Sequence, residues 1–333
     1  MTDRRRGLSR RRFLAGSFAA TAAVGLPGRA RAAAPDKLHF LIPGGAGGGW
    51  DDTARTVGRV LTDSGLLRNA SYQNIVGPGG TRGVAQLIEA AARYQEALLV
   101  HSAPLVIGGL RYQNVPTYRD ITPIAAVIGD YHAFAVPNIS LLKTWQKIAF
   151  THEKDQKWVK VAGGSISGSW DHLVLMWAFE KAGQNASTVT YVPYDGGGRA
   201  RLSMLNRETR LLSSGLGEIL PHVRSGALHL VGVASPARVA DAPEAQTMLE
   251  QGYDVQAMNW RGFFGPPGLP KATAQAYADL LRRMYETPQW KTARAERGWV
   301  DMFMGPDQFA AFLKGQEGAM QGLFRNAGRG AQS

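Results

Sequence analysis

The chain has 333 residues, no cysteine and a formal net charge of +12. Without cysteine there are no disulfides, thiolate metal sites or cysteine nucleophiles. A chain of this length buries a sufficient core without such staples, and it sits where single cores tend to split into two domains.

The charge is concentrated at the start. Residues 1–32 hold eight arginines and one aspartate, seven of the twelve excess charges, and leave thirty basic and twenty-five acidic residues in the rest. The basic excess therefore does not point to nucleic acid, and the remaining balance suits a small anionic ligand. Within this segment "SRRRFLAG" (Ser9 to Gly16) has the order of a twin-arginine export signal, and the apolar run "FLAGSFAATAAVGL" follows. That run is too short and too rich in Ala and Gly to span a bilayer. Ala30-Arg31-Ala32 then offers a small-residue cleavage site. Residues 1–32 are expected to be a signal peptide, cut near Ala32 after the twin-arginine translocase delivers the protein to the periplasm. No later stretch has the apolar length of a spanning helix, so the mature protein is expected to be soluble.

The first elements alternate. "KLHFLI" (37–42) reads as a strand, followed by the glycine loop "PGGAGGGWDD" and a helix with Ala54, Val57, Val60 and Leu61 on one face. "SYQNIV" (71–76) is a second strand, followed by "GPGGTRG" and a helix carrying Val84, Leu87, Ile88 and Ala91; "ALLVHS" (97–102) is a third strand. This rhythm implies a parallel sheet with helices on its faces. The middle of the chain repeats it. "WVKVAGG" (158–164) is a strand, then "SISGSWDH" and a helix with Leu173, Leu175, Met176, Trp177 and Phe179. "TVTYVPY" (188–194) is a strand, then "DGGGR" and a helix with Leu202 and Leu205. "TRLLSSG" and "ALHLVGVAS" are further strands, separated by a short helix, "GEILPHV", that Gly226 terminates. The last sixty or so residues read as mostly helical, with Pro288 and Pro306 in first turns. The chain is expected to cross between the halves at 126–138 and again at 258–270. Two crossings make hinged lobes, residues 33–132 with 259–333 in one and 133–258 in the other.

The two halves echo each other. "GGWD" at 48–51 and "GSWD" at 168–171 stand 120 residues apart, each between a strand and a helix. "GPGG" at 77–80 and "DGGG" at 195–198 occupy matching second loops. In open parallel sheets the carboxyl edge that carries such loops is where ligands bind. Glycines permit positive φ and close approach, and the following helix leaves its first N–H groups unpaired. Those donors and the positive helix end make an anion site that needs no basic side chain. Asp51 and Asp171 read as caps that shape the loops. Trp50 and Trp170 have two readings, cleft wall or core, and Arg82, Arg199 and Arg261 read as surface arginines or as carboxylate partners.

Other chemistries fit poorly. The first loop lacks the Lys-Ser/Thr end of a P-loop, and the others do not give the dinucleotide fingerprint, so no cofactor is expected. Gly164-Ser165-Ile166-Ser167-Gly168 has Ile where a nucleophile elbow needs Ser. An exported hydrolase or acyl-transfer enzyme using Ser167 or Ser169 with His172 is the alternative to a non-enzymatic receptor. Seven histidines without an i,i+4 pair argue against a metal site.

At these loops the sequence resembles the extracytoplasmic receptors of tripartite tricarboxylate transporters, the Bug or Tct solute-binding family. The resemblance rests on "PGGAGGGWDDTAR", "GPGGTRGVA", "AGGSISGSWDH", "YVPYDGGGRARLSML", "LPHVRSGALHLVGVAS" and "WRGFFGPPGLP", in order along nearly the whole chain after the signal. It implies an α/β, type II periplasmic-binding-protein fold: two lobes with mixed, mainly parallel sheets and a ligand cleft between them. It also implies two pincer loops on a ligand carboxylate, here Ala46, Gly47, Gly48, Gly49, Trp50 and Asp51 in the first and Ser165, Ser167, Gly168, Ser169 and Asp171 in the second. Ser102, Gly197, Gly198 and Ser214 would line the rest of the cleft. The "GGGWD" form looks closest to the citrate-binding branch. The implied function is a monomeric receptor that hands a small di- or tricarboxylate to the membrane permease subunits.

Overall fold

The computed structural model describes residues 35–330, so the expected signal peptide and its cleavage site lie outside the described residues. The first half runs β1 (Lys37–Ile42), α1 (Gly49–Asp63), β2 (Asn69–Asn74), α2 (Thr81–Glu89), β3 (Ala97–Ser102), α3 (Pro104–Arg111) and β4 (Thr122–Pro137). There follow α4 (Trp145–Lys154), β5 (Lys160–Gly163), α5 (Trp170–Lys181), β6 (Thr190–Pro193), α6 (Gly197–Leu205), β7 (Leu211–Gly215), α7 (Leu216–Arg224) and β8 (Leu228–Val233). The last part holds β9 (Met258–Gly265), α8 (Lys271–Tyr285), α9 (Pro288–Glu296), β10 (Val300–Met304) and α10 (Pro306–Gly330). None of the described helices is long and apolar enough to cross a membrane.

Two α/β layers are joined by one strand. In the first, β1 lies parallel between β2 and β3, β9 pairs antiparallel with β3 and β4, and β10 pairs antiparallel with β4. In the second, β5 lies parallel between β6 and β7, and β7 and β8 pair antiparallel with β4. The 16-residue β4 serves both: Thr122 to Tyr131 pair with β9, and His132 to Pro137 pair with β7 and β8. Its sequence, TPIAAVIGDYHAFAVP, is apolar on both faces, which is the pattern of a strand covered on both sides. The chain returns alongside, where His132 N–H donates to Ala257 O at 2.8 Å and Met258 lies opposite Tyr131.

Each sheet is buried on both faces. Phe40, Val57, Leu281 and Trp290 belong to one core of the first lobe, and Leu99, Val106, Trp260 and Phe309 to the other. In the second lobe Phe134, Trp145 and Phe179 pack on one face and Met204, Leu212 and Ile219 on the other. Fully burying a side chain of this size contributes about 1.5–3 kcal/mol, so the faces rather than the loops hold the lobes together.

The repeating strand–loop–helix units form as their hydrophobic periods imply, with small shifts at the edges. Strand β2 begins two residues before the "SYQNIV" segment, and α2 ends at Glu89, before Ala91. The sheets are more mixed than the rhythm alone suggests, because β9 and β10 arrive from the far end of the chain and run against β4.

Candidate functional site

The loops after β1, β2, β5 and β6 meet around one cavity of about 80 Å³, together with the end of β3 and the starts of β9 and α7. Helices α1, α5 and α6 all open there, and none has a side-chain hydrogen bond from its N-cap residue, which is Gly48, Ser169 and Gly196 respectively. Helix starts of this kind present backbone donors and positive potential to whatever lies before them.

The first loop is held from behind. Gly47 has φ +75°, and its N–H donates to Asp51 Oδ2 at 2.9 Å. Asp51 Oδ1 takes Arg55 Nε at 2.8 Å and Asn74 Nδ2 at 3.0 Å, so this carboxylate is fully used away from the cavity. Trp50 turns inward: its Nε1 donates to Ser102 Oγ at 3.0 Å and its ring lies 4.6 Å from that of His101. Burial pushes His101 down to about 3, so the ring is neutral and this wall carries no cation.

The second loop repeats the backbone with a different register. Gly168 has φ +76° and donates its N–H to His172 Nδ1 at 2.8 Å. Its counterparts therefore stand 121 positions apart: Gly47 with Gly168, the N-caps Gly48 and Ser169, and the acceptors Asp51 and His172. The Trp-Asp echo in the sequence is displaced by one residue from the structural equivalence. Asp171 takes the place of Trp50 and faces the cavity, while His172 does the work of Asp51. The carboxyl group of Asp171 is met by the Gly164 N–H and the Ser165 hydroxyl, yet burial outweighs both and pushes it up to about 7.

Glycines bring the loops into contact. A β-carbon at Gly45 would lie 2.6 Å from Asp195 O, one at Gly198 3.1 Å from Gly47 O, and one at Gly79 3.3 Å from the Ile166 side chain. Backbone from the first lobe thus touches backbone of the triple-glycine loop in the second. Real β-carbons do not sit within 3.0 Å of such atoms, so Gly45 in particular is required for this approach. Part of the glycine content serves loop-to-loop contact rather than access for a ligand.

The floor is ionic. Arg261 on β9, only 4% exposed, binds Asp130 Oδ2 at 2.9 Å through Nη1 and Glu218 Oε1 at 3.1 Å through Nη2. Asp130 also accepts the Gly217 N–H at 3.0 Å. Burial works against the Arg261 charge, but Asp130 and Glu218 outweigh it and its pKa is raised. Glu218 is pushed up to about 7 by burial, with Arg261 opposing and Asp171 and Asp130 adding to the shift. A β-carbon at Gly49 would strike the Arg261–Glu218 pair, and one at Gly197 would strike Glu218 Oε2, so the pair lies directly on the first residues of α1 and α6. Among the described residues no group of three or more His, Asp or Glu is arranged to hold a metal ion.

Of the residues expected from sequence, Gly48, Gly49, Trp50, Ser102, Ser165, Asp171 and Gly197 line the cavity. Ala46, Gly47 and Asp51 form the back of the first loop, and Gly198 packs on Gly47. Ser167 is exposed, Ser169 is the buried N-cap of α5, and Gly168 sits at the turn under Arg111, which donates to its carbonyl. Ser214 stands behind Gly197, where a β-carbon would meet its Oγ at 3.0 Å. Sequence reasoning missed Tyr194, Asp195, Glu218 and Asn259 as lining residues and left Arg261 between a surface group and a carboxylate partner. Arg261 was detectable: a charge inside the apolar run of β9 must be paired if that strand is central. The hydrolase alternative also fails here, since His172 accepts a backbone N–H and stacks on Tyr191 at 4.5 Å rather than activating a serine.

Comparison with known proteins decides the class. The model of the tripartite tricarboxylate transporter family receptor matches residues 69–328. The chain belongs to that family. As such it is a solute receptor and not an enzyme. The receptor is 27% identical to Protein BugT of Bordetella pertussis (strain Tohama I) over 321 residues, covering 94% of this chain and 96% of that protein. Its fold matches the periplasmic binding protein BugD, with a TM-score of 0.78, 23% identity and coverage of 88% of this chain and 97% of that one. It also matches MatC from Rhodopseudomonas palustris with bound malate, with a TM-score of 0.73, 19% identity and coverage of 86% and 98%.

Proposed function

We propose that this receptor captures a small organic acid between its lobes in the periplasm and delivers it to the permease subunits of a tripartite tricarboxylate transporter. The observation that carries the reading is the convergence of the α1, α5 and α6 starts on one cavity, none capped by its own N-cap side chain, with Ser165 Oγ taking only the Asp171 N–H of α5 at 3.2 Å. A carboxylate at such a point gains charge-assisted hydrogen bonds of about 1.5–3 kcal/mol each, and a few of them reach the roughly 8 kcal/mol of micromolar binding. Gly48, Gly49, Trp50, Ser102, Ser165, Asp171 and Gly197 are the proposed contacts. The malate bound by MatC supports a di-acid of modest size within the expected di- or tricarboxylate class. The acids in the floor weigh against the citrate end of that class.

The hinge is assigned to Tyr131–His132 and Ala257–Met258, which gives lobes close to residues 33–132 with 259–333, and 133–258. Export by the twin-arginine translocase, cleavage near Ala32 and a monomeric state complete the proposal. A calorimetric or thermal-shift screen against citrate, dicarboxylates and aromatic acids tests it. Binding of at least one carboxylate is expected; silence toward every carboxylate alongside a response to sugars or cations rejects the reading.

A further inference from the structure

Resting on the receptor reading but departing from its di-acid ligand, we propose that the cavity selects a zwitterionic amino-carboxylate over a dicarboxylate of matching length, with Glu218 and Asp171 as the residues that make the choice. The helix starts supply a seat for one carboxylate without any side-chain cation. The rest of the wall is acidic. Asp171, Glu218 and, at the rim, Asp195 all line the cavity, against the single cationic side chain of Arg261.

The Arg261 charge is opposed by two acids, Asp130 2.9 Å from Nη1 and Glu218 3.1 Å from Nη2, so this cluster carries no net positive charge when both acids are ionised. Asp171 is met only by neutral donors, the Gly164 N–H and the Ser165 hydroxyl, with the uncharged ring of His132 3.9 Å away. Glu218 Oε2 has no hydrogen-bond partner among the described residues and lies against Gly197 in the cavity wall. The other charges felt around Glu218 are those of Asp130 and Asp52, while Arg201 on α6 stands outside the lining. Above about pH 7, where Asp171 and Glu218 lose their protons, a ligand's second carboxylate would meet like charge from two sides in a poorly screened space. An ammonium group would instead give Glu218 Oε2 its missing donor and balance Asp171.

Calorimetry on the full chain at about pH 8.5, where both acids are ionised and the probes keep their ammonium groups, decides the matter, using succinate against 4-aminobutyrate, glutarate against 5-aminovalerate and adipate against 6-aminohexanoate, with butyrate as a one-carboxylate control. The amino member of at least one pair is expected to bind about tenfold tighter or more, the scale of one like-charge contact replaced by an opposite one. Glu218→Gln should erase most of that preference, read as the affinity ratio within each pair. Since Glu218→Gln also alters the Arg261 pair, Asp171→Asn is the second variant, and it should reduce the preference in the same direction. Tighter binding of the dicarboxylate in every pair overturns the selectivity and leaves the receptor reading intact. Failure of all probes, butyrate included, overturns both.

Discussion

The two strand-to-helix loops that begin at Pro43 and Gly164 have nearly the same backbone and opposite chemistry. Each places a left-handed glycine four residues before an acceptor that takes its N–H, and each feeds a helix with no N-cap hydrogen bond. In the first loop the acceptor is a carboxylate locked by Arg55 and Asn74, and an indole faces the cavity. In the second the acceptor is a neutral imidazole, and a carboxyl group faces the cavity. A loop's shape is thus set by glycine and one acceptor of either type, while the residue before the acceptor decides what a ligand meets. One pincer is neutral and aromatic, the other acidic.

The comparison can be broken or sharpened by substitution. The largest effect is expected from Arg261→Ala, which removes the cation beneath both loops and leaves Asp130 buried without its partner. Urea denaturation should report a loss of about 3–5 kcal/mol, and a loss below 1 kcal/mol would show that the floor rearranges freely. Next, the two acceptors should differ. Asp51→Ala removes charge-assisted bonds worth about 1.5–3 kcal/mol, whereas His172→Ala removes a neutral one worth about 0.5–1.5 kcal/mol. Equal costs would mean that charge at the acceptor is irrelevant to the loop.

The smallest effect is one that wild type conceals. His101 and His132 are pushed down to about 3 by burial, so the unfolded chain binds protons that the folded one refuses, and stability falls as pH drops below about 6.5. Asp171 and Glu218, pushed up to about 7, act oppositely: the folded chain holds their protons, and stability falls as pH rises from about 4 to 7. The four groups offset one another, and a shallow profile is expected between pH 4 and 6.5. Replacing Asp171 by Asn or Glu218 by Gln should uncover the histidine slope, about 1.4 kcal/mol per pH unit for each group no longer opposed. An unchanged profile would remove those acids from the titrating set.

Much of this was legible in the sequence. The period of apolar residues located β1, α1, β3, α5, β7 and β8, and the paired glycine loops identified the edge where the cavity lies. The register between the halves was not legible, because Trp-Asp recurs at 120 while the glycine turn recurs at 121; matching letters outweighed a match that only φ reveals. Glu218 was also hidden. An acidic residue in a helix's first turn reads as a favourable dipole contact, and only the packing of α7 against Gly49 and Gly197 turns it into part of the cleft. Strand β10 was missed since "VDMFM" pairs with a segment some 170 residues earlier, outside any local signal.

Strand β9 lies between β3 and β4, filling a slot in the first sheet from residues 258–265. Until those residues have been synthesised, the N-terminal third of the protein carries two open sheet edges and cannot complete its own core. Such unpaired edges invite wrong partners. Assembly of the first lobe therefore waits for the second to be made, and the molecule matures all at once rather than from its leading end. A protein with that birth order gains from reaching its destination already finished, the kind of cargo that the expected twin-arginine route carries.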